Sequence, residues 1–176
     1  MTLTAAYLRE RLIYDPETGV FTWRRKDGPG KDNARWNSRY AGRQAGSIDS
    51  LDGYVRIRID GRLYKAQRLA WLYHYGDWPP AVLDHRDRNR SNNAIANLRL
   101  ASLADNARNA SLRKDSSSGR KGVTWLKSRN RWAAVIRIGG RQRCLGLYKD
   151  IDAAAAAYLS AAKKHFGEFA TDGVSA

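Results

Sequence analysis

Residues 81–109 read AVLDHRDRNRSNNAIANLRLASLADNARN, and this stretch decides the fold. It packs six Asn and three Asp into one short segment, side chains that favour turns, helix caps and metal contacts. The pattern predicts a hairpin followed by a helix. Ser102 with Asp105 three residues later marks a helix start, so Leu103 to about Leu112 should be helical, with Asn106 near its beginning. Asp84 and His85 are neighbours at a strand end, where both side chains can approach one metal ion and one water. A hairpin and a helix can return the amides of Asn97 and Asn106 toward that strand end. Spacing alone makes these four residues a candidate site, with a structural histidine in an ordinary polar turn as the plainer alternative.

Upstream, an opening helix is expected from about Thr4 to Ile13, then a turn over Asp15-Pro16-Glu17-Thr18-Gly19 and a strand over Val20 to Trp23. Residues 26–47 read as a polar loop. Tyr54 to Ile59 alternates apolar and basic residues before Asp60-Gly61, a hairpin signal that sends the chain back through Leu63 and Tyr64. Gln67 to Tyr75 should be a helix with Leu69, Leu72 and Tyr73 inward, ended by Gly76. Downstream, residues 113–121 read as a basic flexible linker. Three strands are expected near 122–127, 131–138 and 142–148, the last two joined by Gly139-Gly140. A closing helix capped by Asp150 should turn Ile151, Ala155, Tyr158, Leu159, Ala162 and Phe166 inward.

The 176 residues hold 32 Lys+Arg against 17 Asp+Glu, a formal net charge of +15. Ten basic residues and a single acidic one fall within 113–148, so the field that would draw a polyanion is strongest late in the chain. No apolar run reaches the roughly 18 residues a membrane span needs, and Arg9, Glu10 and Arg11 interrupt the opening segment, which points to a cytoplasmic protein. The lone Cys144 excludes an internal disulfide and a Cys-rich zinc site. Any metal must be held by oxygen or imidazole.

Leu83-Asp84-His85, Asn92-Asn93, Asn97-Leu98-Arg99, Ser102 and Asp105-Asn106-Ala107-Arg108-Asn109 resemble an HNH endonuclease of the phage homing type. Gly53-Tyr54-Val55-Arg56-Ile57, Arg68-Leu69-Ala70-Trp71 and Gly76-Asp77-Trp78-Pro79 resemble the usual lead-in. The resemblance implies an α+β chain with a ββα-metal nuclease domain over residues 1–112, its motif core at 81–112. It implies that His85 is the general base, that Asp84 and Asn106 ligate one Mg²⁺ or Mn²⁺, and that Asn97 orients His85 or braces the hairpin. Asn106 replaces the final His of many members, giving the H-N-N subtype. Relatives often carry Gly where this chain has Arg88-Asn89, and Asn89 can accept a left-handed backbone. Arg86, Arg88 and Arg90 would line the cleft and grip phosphates.

Lys121-Gly122-Val123, Trp132 to Arg137, Leu145-Gly146-Leu147-Tyr148 and the Ala153–Ala162 helix resemble the plant ethylene-response-factor (ERF, or Apetala-two) DNA-binding domain over residues 122–170, a three-stranded antiparallel sheet packed on one helix. That resemblance implies major-groove contact through the sheet, with Lys121 and Arg137 as basic contacts. Strand alternation adds Arg131, with Trp125, Lys127 and Arg129 extending the surface and Arg141 and Arg143 at the sheet edge. Thr124, Gln142 and Cys144 depart from that family's pattern.

The expectation is therefore a metal-dependent endonuclease acting on double-stranded DNA as a monomer, without an obligate protein partner, and leaving 5′-phosphate and 3′-hydroxyl ends. If phage-encoded, it would act in the bacterial host cytoplasm. A non-catalytic, sequence-specific DNA-binding regulator is the alternative: it accounts for the charge but not for Asp84, His85, Asn97 and Asn106 occurring together.

Overall fold

The computed structural model describes residues 3–112 and 116–173, and the chain divides into two compact units, Met1–Ala101 and Ser102–Ala176. In the first, Thr4 caps helix α1 (Ala5–Arg11) by accepting the Tyr7 N–H. Strands β1 (Leu12–Tyr14) and β2 (Phe21–Trp23) follow and pair antiparallel. The expected helix thus stops short of Ile13. Leu12, Tyr14 and Phe21 all enter the core from the extended conformation, and this burial overrides local helix propensity.

The expected loop at 26–47 is likewise corrected, because Lys31–Tyr40 forms helix α2. It buries no residue. Its Asn37 side chain accepts the Lys26 N–H and donates to the Lys26 carbonyl, a side-chain clasp on the preceding loop. Strands β3 (Ser47–Ile48), β4 (Val55–Ile59) and β5 (Arg62–Lys65) form a sheet in the order β3-β4-β5. The tight turn at Asp60-Gly61 takes φ of 46° and 80°, the left-handed pair that matches strand twist in a two-residue hairpin. Helix α3 (Ala66–Tyr75) buries Leu69, Ala70 and Leu72 with Ile57 and Ile59. Gly76 then ends it in a left-handed conformation. Strands β6 (Val82–His85) and β7 (Leu98–Ala101) make the expected hairpin.

The second unit opens with helix α4 (Leu103–Asn109), shorter than expected, whose Ser102 and Asp105 form a reciprocal capping box. Counting α4 here differs from the expected boundary near residue 112. The guanidinium of Arg108 lies 4.5 Å from the centre of the Phe166 ring, and Lys121 Nζ donates to the carbonyls of Arg108 and Ala110. Of the expected linker, residues 113–115 lie outside the described residues.

Strands β8 (Val123–Leu126), β9 (Arg131–Ile138) and β10 (Arg141–Tyr148) pair antiparallel in the order β10-β9-β8. Helix α5 (Ile151–Phe166), capped by Asp150, buries Ala154, Tyr158 and Ala162 against Val123, Ala134 and Ile136. Gly122 has φ of 67°, and a Cβ there would come within 2.1 Å of the Tyr158 ring, so only glycine admits that ring. Among the described residues, no helix is long and apolar enough to cross a membrane.

Candidate active site

Strand register places Asp84 directly opposite Arg99 and His85 opposite Leu98. Arg99 Nε donates to Asp84 Oδ2 at 2.8 Å, and Nη2 lies 2.7 Å from the same oxygen. Both side chains are buried, at 6% and 5% exposure. A carboxylate taken out of water requires such a counter-charge. The pair fixes Asp84 at the end of β6 and explains a residue the sequence reading passed over. Opposite charges separated by a hairpin of this length were the available signal.

His85 is buried as well, with Nε2 3.4 Å from Asn93 Oδ1. The Asn93 amide donates through Nδ2 to the Ser91 carbonyl, which turns its oxygen toward the ring. An amide oxygen only accepts, so Nε2 carries the hydrogen and the lone pair of the neutral imidazole resides on Nδ1. Burial pushes the His85 pKa below its ordinary value, outweighing the opposite pull of Asn93 and of the Asp87 and Asp84 carboxylates. The ring therefore stays neutral into mildly acidic solution, the state a proton acceptor needs.

Asn93 is locked in place by the β1–β2 turn. Tyr14 donates its hydroxyl to the Asn93 carbonyl at 2.7 Å, and the Ile95 N–H donates to the Pro16 carbonyl. Gly19, at φ 73°, leaves no room for a side chain, since a Cβ would fall 2.2 Å from backbone atoms of Asn93 and Ala94. Burial raises the Tyr14 pKa well above its ordinary value, so its hydroxyl remains a donor.

Of the two roles open to Asn97, its contacts match the hairpin brace. Its Nδ2 donates to Asp87 Oδ1 and to the Asn92 carbonyl, and its Oδ1 accepts the Asp87 N–H. The Arg86 N–H donates to the Asn97 carbonyl. Burial alone would raise the Asp87 pKa, but hydrogen bonds from Asn92, Asn97 and the Asn89 N–H together hold it below the usual carboxylate range. The left-handed residue of this loop is Arg88, with φ of 65°, and not Asn89. The Arg88 N–H closes a turn on the His85 carbonyl.

Of the expected cleft arginines, Arg86 is exposed and Arg88 half-buried, while Arg90 is drawn onto the turn before β4. Arg90 Nη1 donates to the Asp52 carbonyl, and its guanidinium lies 5.0 Å from the centre of the Tyr54 ring. Lys65 Nζ also lies close to that ring, at 3.8 Å. Tyr54 neighbours His85 with ring centres 5.9 Å apart, so the sequence reading missed an aromatic neighbour of His85 with a cation stacked on it. Asn106 is half-buried on α4, its N–H bonded to the Ser102 carbonyl.

In the second unit, the surroundings of the expected DNA contacts differ from residue to residue. Lys121 spends its ammonium on the carbonyls at the end of α4, where a cation offsets the helix dipole. Trp125 is the direct cross-strand partner of Trp132, with ring centres 4.9 Å apart. Direct partners share a face, and Trp132 packs on the α5 side, opposite Arg131 and Arg137. A bulge at Leu145 turns that side chain toward α5 and Leu147 away. Arg141 and Arg143, paired with Ile138 and Ile136, therefore also belong to the α5 side, exposed on edge strand β10. Arg131 and Arg137 occupy the other face, with Arg137 opposite Gln142. Lys127 and Arg129 are exposed on a short turn between β8 and β9.

A family model described as HNH endonuclease matches residues 64–108, the segment from β5 through the hairpin into α4. "Protein 3.8" of Escherichia phage T7 is 36% identical over 85 residues, covering 46% of this chain and 70% of that protein. The chain therefore carries an HNH endonuclease domain. An uncharacterized HNH endonuclease of Acanthamoeba polyphaga mimivirus is 36% identical over 88 residues, which span 50% of this chain and 44% of that protein. No solved structure matches. The buried Asp84–His85 pair lies inside the matched segment.

Proposed function

We propose that the protein is a metal-dependent DNA endonuclease that hydrolyses a phosphodiester bond to leave 5′-phosphate and 3′-hydroxyl ends, in the homing role of a phage-borne gene. The observation that carries this reading is the buried His85 with its Nε2 turned to the Asn93 oxygen and its pKa pushed down by burial. Nδ1 then takes the proton from the attacking water, and the resulting imidazolium is stabilised by the Asn93 oxygen and the nearby Asp87 carboxylate.

Asp84 and the side-chain oxygen of Asn106 would hold the divalent cation. A carboxylate and an amide oxygen are hard donors, and this chemistry fits Mg²⁺ or Mn²⁺. When bound, the cation supplies charge stabilisation at the phosphoryl group and the departing oxygen. Arg99 keeps Asp84 oriented and tempers its charge. The half-buried Arg131 and the exposed Arg137 of the β8–β10 sheet support an ERF-type role in holding double-stranded DNA, and tethering raises the local concentration of the cutting site. The place of action is the host cytoplasm.

The test is cleavage of plasmid and phage DNA with Mg²⁺ or Mn²⁺ and with EDTA. His85→Ala should lower the rate by about 10²- to 10⁴-fold while DNA binding persists. Cleavage within a few-fold of the parent removes His85 as the base. Binding by the parent without any metal-dependent cleavage favours the regulator instead.

A further inference from the structure

The first unit carries a second cationic feature that the catalytic hairpin does not use, a cleft of about 1060 Å³ between α1, the segment from β2 into α2, and the β4–β5 turn. Arg9, Arg11, Arg24, Arg25, Lys26 and Arg58 line it, against the carboxylates of Glu10, Asp27 and Asp60. Among the described residues, none of these six cations forms an ion pair.

Five of the six are nevertheless held, all by neutral groups. Arg9 donates to the Tyr73 carbonyl, Arg24 Nε to the Arg9 carbonyl at 2.7 Å, and Arg58 Nη1 to the Gly61 carbonyl. Arg11 donates to the Tyr7 hydroxyl and stacks over its ring, and Lys26 Nζ sits 4.6 Å from the centre of the Trp36 ring. Asp60 is engaged with the Tyr7 hydroxyl at 2.6 Å.

A solvated charge run leaves long side chains loose and interleaved with counter-charges. Here six cations outnumber the three carboxylates of the same cleft and five of them are ordered by neutral groups, which leaves a net positive field for a polyanion. Ordering the side chains beforehand also lowers the entropic cost of binding. Helix α2, which adds nothing to the core, contributes Trp36 and Asn33 to this cleft and clasps Lys26 through Asn37.

We infer that this cleft is a docking groove for the phosphodiester backbone of duplex DNA, separate from the hairpin and from the C-terminal sheet. It rests on the endonuclease reading only for the identity of its partner.

The experiment is fluorescence anisotropy of the full chain on labelled duplexes of unrelated sequence, in EDTA, across a potassium chloride series. Replacing Arg24, Arg25 and Lys26 by Ala should weaken binding to every duplex alike. It should also reduce the slope of log K against log salt by about two to three, about one for each phosphate no longer neutralised. The control removes three exposed cations of α2 outside the cleft, Lys31, Arg35 and Arg39, and should leave the slope nearly unchanged. Arg25→Ala alone, which breaks no internal hydrogen bond, should lower the slope by about one and reads the groove even if the triple variant folds poorly. Equal effects from the two triples, or an unchanged slope in the cleft variants, overturn the groove. A parent chain that binds no duplex overturns the endonuclease reading instead.

Discussion

In the β6–β7 hairpin Asp84 faces Arg99 and both are buried, whereas in the β8–β10 sheet Arg137 stands opposite Gln142 with both exposed. The two regions are both small antiparallel sheets, yet they use polar groups in opposite ways. The hairpin buries Asp84, His85, Asn93 and Arg99, and Asn97 and Asp87 hydrogen-bond to each other across its loop. The sheet buries Ala134, Ile136 and Val123 under α5 and leaves its cations outward. Burial with full hydrogen bonding costs desolvation but fixes atoms in place, as a reacting group requires. Exposure leaves a cation able to exchange counterions for a phosphate. The difference separates residues suited to chemistry from residues suited to holding a partner.

Breaking the buried pair is the severest test of that contrast. Arg99→Met strands the Asp84 carboxylate in the interior and should destabilise the chain by about 3–5 kcal/mol, read by urea unfolding. A change under about 1 kcal/mol, the range of a solvated pair, would remove the distinction between the two regions. Arg137→Ala should do the reverse. Stability should stay within about 0.5 kcal/mol, while DNA binding weakens by about 1–3 kcal/mol if the residue reads a base. Unchanged affinity removes Arg137 from the DNA-binding surface.

The loop between the hairpin strands sharpens the comparison on a smaller scale. Arg88 adopts a left-handed backbone that costs a non-glycine residue about 1–2 kcal/mol. Arg88→Gly should therefore raise the thermal midpoint, and a fall would show that the arginine side chain contributes more than its backbone strain removes. Asp87 gives the smallest effect, visible only in acid. Its folded pKa is depressed, so its stabilisation is complete above the unfolded carboxylate pKa and fades as pH drops through the folded one. The stability gap between the parent and Asp87→Asn should accordingly close on acidification below about pH 4. A gap that stays constant means the hydrogen bonds from Asn92 and Asn97 do not depend on its charge.

Much of this organisation was legible in the residues. The Asp60-Gly61 turn, the Ser102/Asp105 cap, the β6–β7 hairpin and the three C-terminal strands all follow from short-range chemistry, since each signal lies within a few residues of the feature it controls. The misses share the opposite property. Helix α2 buries nothing, and its large apolar side chains, Trp36 and Tyr40, are too few among polar neighbours to mark a helix in the sequence. The strand at Leu12–Tyr14 exists because Phe21 and Trp23 pair with it. The face of Trp125 depends on its cross-strand register with Trp132, which alternation within one strand cannot anticipate. Lys121 reads as a DNA-binding residue in the sequence because nothing nearby in the chain reveals the carbonyls it meets.

Sequence alone determined the chemical inventory: an Asp-His pair with spaced amides, a surplus of cations, and a single Cys that forms no internal disulfide, because residue types set which reactions are available. Tertiary structure decided which of those groups act together. Arg99 reaches Asp84 across a hairpin, and the β1–β2 turn holds Asn93 from far upstream. Proton acceptance and ion pairing depend on distances of a few ångström and on the exclusion of water, and the folded chain alone supplies both.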